Sequence, residues 1–569
     1  MRATILAPGS RGDVQPYVAL GQALQSLGHE CTIVTTLDHE ELVRAYGLNV
    51  VTLPVNVAEE LRRAETSRAL EGGGLVSSFR QFAEIAKRAA GALARMGLEA
   101  SRGSDVLVTG FSTALVADGI SKKLGVPVVQ AFNVPVTTTS AFPGALFPGL
   151  DFGSVSRGIS HRLTRAALWL TARASANEAC VQILGAEPAS LIPPTHAGLL
   201  PGPVLYGFSE AFLPRPPEWG RDVHVTGFWF VEEASTFTPP ADLSRFLKEG
   251  PPPVCVGFGS MSTESPQEVS AVVVDAAKAA GVRLVLLSGW AGLQPEALSG
   301  DVIALGGVPH SWLYPRCGAV VHHGGAGTTA AAVRAGVPAI VVPFHGDQPF
   351  WASRVYELGI GPPPVPRGEL TAGRLASAIR LATTSDALRD RASAIGRRVR
   401  EEHGALRAAH LIAERAEALA AMPFTQAGAR ESTPGLKRPS QNPGGGEDGP
   451  AKGVPAGQNP RAVRALVARM AKPPRGLERV AGGTDFVGKS CSEPPSGAFP
   501  RIHPSAITAP GFLTPGCVQS GSARRARHSR SRSLSAAISQ TCRMPRRRSC
   551  SKPRTRSART RSRPAATWR

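Results

Sequence analysis

The sequence VVHHGGAGTT at residues 320–329 predicts a strand that runs into a glycine-rich turn and then into a helix. Glycines let a backbone approach an anion closely, while the free N–H groups and the dipole of a helix start attract phosphate. His323 and the hydroxyls of Thr328 and Thr329 add further donors at this point. The spacing matches neither the GxGxxG fingerprint of dinucleotide-binding proteins nor the P-loop, so we expect neither type of site. The alternative to a phosphate site is a tight strand–helix turn that binds no ligand.

The same rhythm of short apolar strands and helices continues on both sides of this turn, which is typical of parallel α/β sheets. In the C-terminal half, strands are predicted at 254–257, 284–287, 302–305, 319–322 and 339–342, and helices at 266–280, 328–335, 348–358, 371–384 and 386–421. In the N-terminal half, strands are predicted at 4–7, 31–35, 106–108, 126–129, 204–206 and 223–226, with a helix at 14–27. The fold class is therefore α/β, with two Rossmann-like domains facing a cleft.

Changes in composition divide the chain into four predicted parts. They are an N-terminal domain at 1–212, a proline-rich linker at 213–253, a C-terminal domain with closing helices at 254–422, and a tail at 423–569. The tail is rich in Gly, Pro, Ser and Arg and poor in clustered apolar residues, so we expect it to be disordered. It is either a basic arm or non-native coding sequence.

The positive net charge of the chain comes from that tail. The formal net charge is +21 over 569 residues, but residues 424–569 alone carry 28 basic and 6 acidic side chains. The remainder is close to neutral, which argues against nucleic-acid binding by the folded part. The eight cysteines follow no zinc or disulfide spacing, and no apolar run is long enough to span a membrane. These features favour a cytoplasmic protein and leave peripheral membrane contact open.

Two further motifs carry functional side chains. Asp347 and Gln348 follow the strand predicted after the glycine-rich turn, where a carboxylate and an amide can bind neighbouring sugar hydroxyls. Asp13 lies in the loop GSRGD after the first predicted strand. In both places the alternative is a helix cap, since Asp is a favoured capping residue.

The motifs HHGGAGTT and PFHGDQPFWASRV, with GGVPHSWLYPR upstream and GSRGDVQPYVALGQALQSLGHE near the start, resemble those of family 1 GT-B glycosyltransferases. The likeness is strongest to the bacterial and fungal sterol 3-β-glucosyltransferase-like branch and to the glycopeptide-antibiotic (vancomycin-type) glycosyltransferases, and it covers about residues 1–421. It implies inverting transfer of a hexose, most simply glucose, from a UDP-sugar or dTDP-sugar to an acceptor hydroxyl. No DxD element or metal-ligand cluster stands out, so we expect no cofactor and a metal-independent reaction.

The resemblance assigns roles by position. His323, Gly325, Gly327, Thr328, Thr329 and Ser260 would bind the diphosphate, Asp347 and Gln348 the sugar, and Val308 the base, while Asp13 would be the catalytic base. Gly307 stands where plant members carry a tryptophan that stacks on the base, so Trp290 is a possible substitute, and His310 replaces a glutamine.

The acceptor is expected to be an apolar molecule such as a sterol or triterpenoid. Aromatic residues of the N-terminal half would supply its pocket, namely Phe79, Phe82, Phe142 and Phe147, although each could equally be a core residue. Four alternatives remain open: transfer to a macrolide, polyketide or glycopeptide aglycone, a nucleotide-sugar epimerase or hydrolase, nucleic-acid binding through the tail, and a catalytically silent subunit.

Overall fold

The structure is a computed structural model that describes residues 1–62, 75–232, 237–259, 266–289 and 300–420, without the side chains of 58, 61–62, 75–83 and 419–420. The predicted tail at 423–569 lies outside these residues. The described residues all belong to a single compact unit built on two parallel sheets.

The N-terminal sheet has seven parallel strands in the order β3-β2-β1-β4-β5-β6-β7. They are β1 Arg2–Leu6, β2 Glu30–Thr36, β3 Asn49–Leu53, β4 Val106–Thr109, β5 Val128–Phe132, β6 Val204–Tyr206 and β7 Val223–Val225. Its helices are α1 Arg11–Ser26, α2 Glu40–Ala45, α3 Val57–Arg62, α4 Leu75–Ala100, α5 Ala114–Leu124 and α6 Ser154–Ala179. Most residues of these strands are buried, as crossover helices on both faces of a parallel sheet require, while the edge strand β3 is largely half-buried.

The C-terminal sheet has five parallel strands in the order β10-β9-β8-β11-β12. They are β8 Val254–Gly257, β9 Leu284–Leu287, β10 Val302–Leu305, β11 Ala319–His322 and β12 Ala339–Val341. Its helices are α7 Ala241–Lys248, α8 Pro266–Ala280, α9 His310–Leu313, α10 Ala326–Ala335, α11 Gln348–Glu357, α12 Ala372–Thr384, α13 Asp386–Glu401 and α14 Gly404–Ala420. The prediction of two parallel α/β sheets is confirmed.

Three local features differ from the prediction. Helix α7 lies inside the segment 213–253 predicted as a linker, and β7, the strand predicted at 223–226 in that segment, pairs with β6 in the N-terminal sheet. Helix α6 at Ser154–Ala179 was not predicted. Helix α1 begins at Arg11 rather than Val14, so Ser10 is its N-cap and Asp13 lies in its first turn.

The predicted closing helix at 386–421 is two helices, and the second packs on the opposite domain. Helix α13 ends at Glu401, and α14 starts at Gly404. The apolar side chains of α14, including Ala408 and Ile412, share a buried cluster with Val14 and Leu20 of α1. The chain therefore returns to the N-terminal domain, and α14 supports the helix whose first turn carries Asp13.

A buried arginine that the sequence analysis did not single out organises the loops beside α6. Arg165 is 6% exposed and donates from its guanidinium to the backbone carbonyls of Val136 (3.4 Å), Ala197 (3.1 Å), Pro194 (2.7 Å), His196 (2.8 Å) and Gly198 (2.8 Å). A buried cation is tolerated only when its donors are satisfied, and here carbonyl oxygens do this.

We expect Arg165→Met to lower the free energy of unfolding by about 2–4 kcal/mol, because it leaves these buried carbonyls without their donor. Urea denaturation followed by circular dichroism measures the loss. Arg162→Met, on the exposed face of the same helix, is the matched control and should change stability by less than about 0.5 kcal/mol. Equal effects of the two variants would contradict the role of Arg165.

Candidate active site

A cavity of about 1150 Å³ lies between the carboxyl edges of the two sheets. Ligands of α/β proteins bind at this edge because loops and helix N-termini converge there. The N-terminal domain contributes α1 and the ends of β5 and β6 to its wall, through Arg11, Gly12, Gln15, Pro16, Asn133 and Gly207. The C-terminal domain contributes the glycine-rich turn and the loops after β8, β9 and β10.

The glycine-rich turn brings the N-terminus of α10 to this cavity, where Ala326, Gly327 and Thr328 line the wall. The turn requires glycine at Gly324, where φ is +91° and a Cβ atom would lie 2.8 Å from Cγ1 of Val341. The N–H groups of the first helical turn have no partner within the helix and face the cavity. This end of the helix can therefore bind an anion.

His323 lies between two glycines at the same wall. A Cβ atom at Gly325 would be 2.5 Å from Nε2 of His323, and one at Gly259 would be 2.9 Å from its Cε1, so side chains at either position would displace the ring. Burial, followed by the charges of His345 and His310, lowers the pKa of His323 to about 3. The imidazole is therefore neutral near pH 7 and carries a single N–H donor.

The buried Nδ1 of His323 has no hydrogen-bond partner within the described residues. An unpaired buried polar atom is costly unless a ligand or water satisfies it. Nδ1 of His161 and Nε2 of His322 are likewise unpaired among the described residues, so it is the position of His323 on the cavity wall that favours a binding role over a purely structural one.

The remaining predicted diphosphate residues separate into three groups. Gly327 and Thr328 line the cavity, and Gly325 packs behind the ring of His323. Thr329 is only 1% exposed and does not line the cavity, and its backbone N–H donates to the carbonyl of Gly325 (2.9 Å). Ser260 lies outside the described residues.

The loop after β10 forms the wall predicted to meet the base. Val308 lines the cavity and is 8% exposed, with Gly306 and Gly307 before it. The backbone N–H of Ser288, after β9, donates to the carbonyl of Leu305 at 2.9 Å, which holds the two loops together. Trp290 lies outside the described residues.

His310 follows on the same wall and stacks on Tyr314, with ring centroids 4.4 Å apart. Burial lowers the pKa of His310 to about 4, with a smaller contribution from the positive charge of Arg11. The ring is therefore neutral near pH 7, and Arg11 of the N-terminal domain lies near it across the cleft.

Asp347 is the N-cap residue of α11, as the helix-cap alternative predicts, but its carboxylate accepts no capping hydrogen bond from the backbone of the helix. Its Oδ2 accepts a hydrogen bond from Nε1 of Trp351 at 2.7 Å. Burial, with a smaller contribution from the negative charge of Asp13, raises the pKa of Asp347 to about 6, while the hydrogen bond from Trp351 opposes the shift.

Gln348 is 4% exposed, and its Oε1 accepts hydrogen bonds from the backbone N–H groups of Phe344 (2.8 Å) and His345 (3.2 Å). This side chain shapes the turn that presents Asp347. Neither Asp347 nor Gln348 lines the cavity itself, so their predicted contact with a sugar stays a prediction.

Asp13 is the third residue of α1, and its Oδ2 accepts hydrogen bonds from the backbone N–H (2.9 Å) and the hydroxyl (2.8 Å) of Ser10. Gly9 leaves room for this carboxylate, because a Cβ atom there would lie 2.7 Å from Oδ2. Asp13 is exposed but does not line the cavity, which α1 meets through Arg11, Gly12, Gln15 and Pro16. Loss of surrounding water raises the pKa of Asp13, while the hydrogen bonds from Ser10 lower it. Asp13 and Ser10 together form a capping box, so the helix-cap alternative is present in the structure, and the general-base role stays a prediction.

The predicted acceptor residues do not form a common pocket among the described side chains. Phe142 is 7% exposed and packs in the core against the rings of Trp219 (6.1 Å) and Phe350 (5.9 Å). Phe147 is half-buried, and the side chains of Phe79 and Phe82 lie outside the described residues.

The described residues contain no group of three or more His, Cys, Asp or Glu side chains placed to hold a metal ion. No helix in the described part of the chain is both long and apolar enough to cross a membrane.

Two family profiles match the chain, one in each domain. Residues 3–131 match the glycosyltransferase family 28 N-terminal domain, and residues 285–419 match the erythromycin biosynthesis protein CIII-like C-terminal domain.

Curated relatives match over most of the folded part. The chain is 34% identical over 417 residues to a sterol 3-beta-glucosyltransferase of Pichia angusta, which covers 71% of this chain and 32% of that protein. It is 31% identical over 414 residues to a sterol 3-beta-glucosyltransferase of Arabidopsis thaliana, covering 71% of this chain and 64% of that protein. The chain thus spans about a third of the fungal relative and under two thirds of the plant one.

Solved structures share the architecture. The glycosyltransferase of kitacinnamycin is 21% identical, with a TM-score of 0.52, and covers 73% of this chain and 98% of its own. Glycosyltransferase VinC, solved in complex with dTDP, is 20% identical, with a TM-score of 0.51, and covers 74% of this chain and 100% of its own. These similarities establish the GT-B fold.

Proposed function

We propose that this GT-B-fold chain, similar in sequence to sterol 3-beta-glucosyltransferases, moves a hexose from a nucleoside diphosphate sugar to the hydroxyl of an apolar acceptor. The observation that carries the proposal is the arrangement of the cleft. One wall presents His323 and the N-terminus of α10, while the opposite domain presents the first turn of α1, which carries Asp13.

The proposed reaction is a single displacement. The acceptor oxygen attacks the anomeric carbon, the new C–O bond forms, and the bond from that carbon to the phosphate oxygen breaks with its electron pair passing to the diphosphate. The acceptor proton passes to the carboxylate of Asp13, and the anomeric configuration inverts because attack comes from the face opposite the leaving group.

The C-terminal wall would bind the donor. His323 and the first turn of α10 would hold the diphosphate, Val308 and the neighbouring loops the base, and Asp347 the sugar hydroxyls. Preorganised N–H donors at a developing negative charge stabilise the transition state. UDP-glucose is the donor we favour, and a dTDP-sugar is the second choice.

The acceptor proposal rests on the relatives, which are named for sterols. A sterol or triterpenoid is therefore placed before a macrolide, polyketide or glycopeptide aglycone. Metal independence, a cytoplasmic location and peripheral contact with a membrane stay predictions of the sequence, and the first of these is tested by adding EDTA to the assay.

Calorimetric titration of the full chain with UDP, dTDP, ADP and GDP tests the donor site. We expect saturable binding of UDP or dTDP, weakened by about tenfold or more in His323→Ala, since a hydrogen bond to a charged group is worth about 1.5–3 kcal/mol. His29→Ala, far from the cavity at the end of α1, is the control and should bind as the wild type does. No binding of any nucleotide to the folded protein would overturn the proposal.

A further inference from the structure

The cavity has few positive charges with which to meet a diphosphate. Among the described residues, its lining includes three basic side chains that stay charged at neutral pH, Arg11, Arg334 and Arg400. His323 and His310 are held neutral by burial. A departing nucleoside diphosphate gains negative charge as its bond to the sugar breaks, so the position of these arginines matters.

Two of the three arginines are engaged away from the glycine-rich turn. Arg334 forms an ion pair with Glu232 and lies over the ring of Phe230, at 4.6 Å from the centroid. Arg400 donates to the backbone carbonyl of Arg334. Arg334 is eight residues beyond Ala326, about 12 Å along α10 from its N-terminus.

Arg11 occupies a different position. It is the first residue of α1, is exposed, and lines the cavity from the N-terminal domain. Its Nε donates to Oε1 of Gln15 at 3.0 Å, which orients the guanidinium along the helix. Arg11 lines the same cavity as His310 and His323, which belong to the other domain, so it lies on the wall opposite the diphosphate site. Its charge also contributes to the lowered pKa of His310.

Arg11 and Asp13 are also separated on their own helix. Residues two apart in an α-helix project about 200° from each other, so the two side chains leave the first turn of α1 on different sides. One turn of one domain can thus present a base on one side and a cation on the other.

We propose that Arg11 reaches across the cleft to the diphosphate and stabilises the negative charge that develops on it as the bond to the sugar breaks. This inference rests on the proposed function and adds a catalytic residue to it. The guanidinium fork matches the geometry of phosphate oxygens, which an ammonium does not reproduce. The diphosphate site would then be complete only when the two domains are closed.

The test compares Arg11→Gln, Arg11→Lys and Arg11→Ala in the full chain, using UDP release from UDP-glucose with cholesterol, or with water alone, as acceptor. We expect Arg11→Gln to lower kcat by about 10²–10³ with a much smaller change in KM, as for the loss of one transition-state donor. Arg11→Lys should recover part of kcat, and guanidinium added to Arg11→Ala should restore activity in a saturable way. A residue that acts only through the stability of the fold would not respond to guanidinium.

Arg102→Gln is the matched control, because Arg102 is an exposed arginine of the same domain before β4, at the opposite edge of the sheet, and should keep wild-type kcat. Wild-type kcat in both Arg11→Gln and Arg11→Ala would overturn the inference while leaving the proposed function intact. A wild-type protein that neither binds UDP nor releases it from UDP-glucose would overturn the proposed function itself.

Discussion

We expect Asp13→Asn to lower kcat by about 10²–10⁴, while the affinity for UDP should stay within a few-fold of wild type. The carboxylate is lost as a proton acceptor, and general-base catalysis contributes a factor of this size. Asn keeps the shape of the side chain, and its carbonyl oxygen can still accept from the N–H and hydroxyl of Ser10. A change in donor affinity is not expected, because the predicted donor site lies on the other domain.

The pH dependence supplies an independent check. A raised pKa means that Asp13 takes up its proton at a higher pH than an ordinary Asp, so kcat should fall as the pH falls through a value above 3.8. The hydrogen bonds from Ser10 hold this pKa down, so Ser10→Ala should move the acid limb to still higher pH. Stopped assays of product formation between about pH 4 and pH 9 measure the acid limb in the wild type and in Ser10→Ala.

Asp118→Asn is the control for this series, since Asp118 lies on α5 and pairs only with the exposed Lys122 among its described ion pairs. It should leave kcat and the acid limb unchanged. If Asp13→Asn lowers the free energy of unfolding but leaves kcat at the wild-type level, Asp13 is a capping residue and the base lies elsewhere.

The sequence predicted most of the fold because each βα unit is marked locally. Strands β8, β9, β10 and β11 were predicted with the bounds that the structure has, since each is a four-residue, mainly apolar stretch that begins directly after a Gly, Pro or charged residue. Helix α6 was missed because its first turns contain Ser, Gly and Arg in place of an apolar stripe. The role of Arg165 was missed because the carbonyl groups that accept its hydrogen bonds are brought to it only by the tertiary structure.

The candidate site was predicted in part for the same reason. Motif spacing indicated His323, Gly327 and Thr328, which do line the cavity, because a strand–turn–helix unit fixes where its own residues lie. The buried position of Thr329, the turn made by Gln348 and the approach of Arg11 to the opposite wall depend on side-chain direction and on the partner domain. No pattern within a single segment contains that information.

The crossing of α14 onto the N-terminal domain leads to the last expected result, in which Gly404→Ala lowers the free energy of unfolding by about 2–4 kcal/mol. A Cβ atom at Gly404 would lie 2.4 Å from the carbonyl oxygen of Phe228 and 2.5 Å from the carbonyl carbon of Gly227. These are backbone atoms, which cannot turn aside as a side chain does, so the overlap exceeds ordinary overpacking.

The same crossing point is held on its other side. Gly227 has φ of +106°, and Glu402 accepts a hydrogen bond from the hydroxyl of Ser209 at 2.7 Å. Displacing α14 would also loosen its packing on α1, whose first turn carries Arg11 and Asp13. We therefore expect Gly404→Ala to reduce kcat as well as stability.

Gly373→Ala is the matched control, because Gly373 also lies at the start of a helix but a Cβ atom there would have no heavy atom within 4 Å. Replacing an exposed helical glycine by alanine should stabilise the protein by up to about 1 kcal/mol. Urea denaturation of both variants should therefore show changes in the free energy of unfolding with opposite signs, and the UDP-release assay measures kcat alongside. Equal stability of the two variants would mean that the protein accommodates a Cβ atom at Gly404. The expected effect of this crossing point on the first turn of α1 would then be contradicted as well.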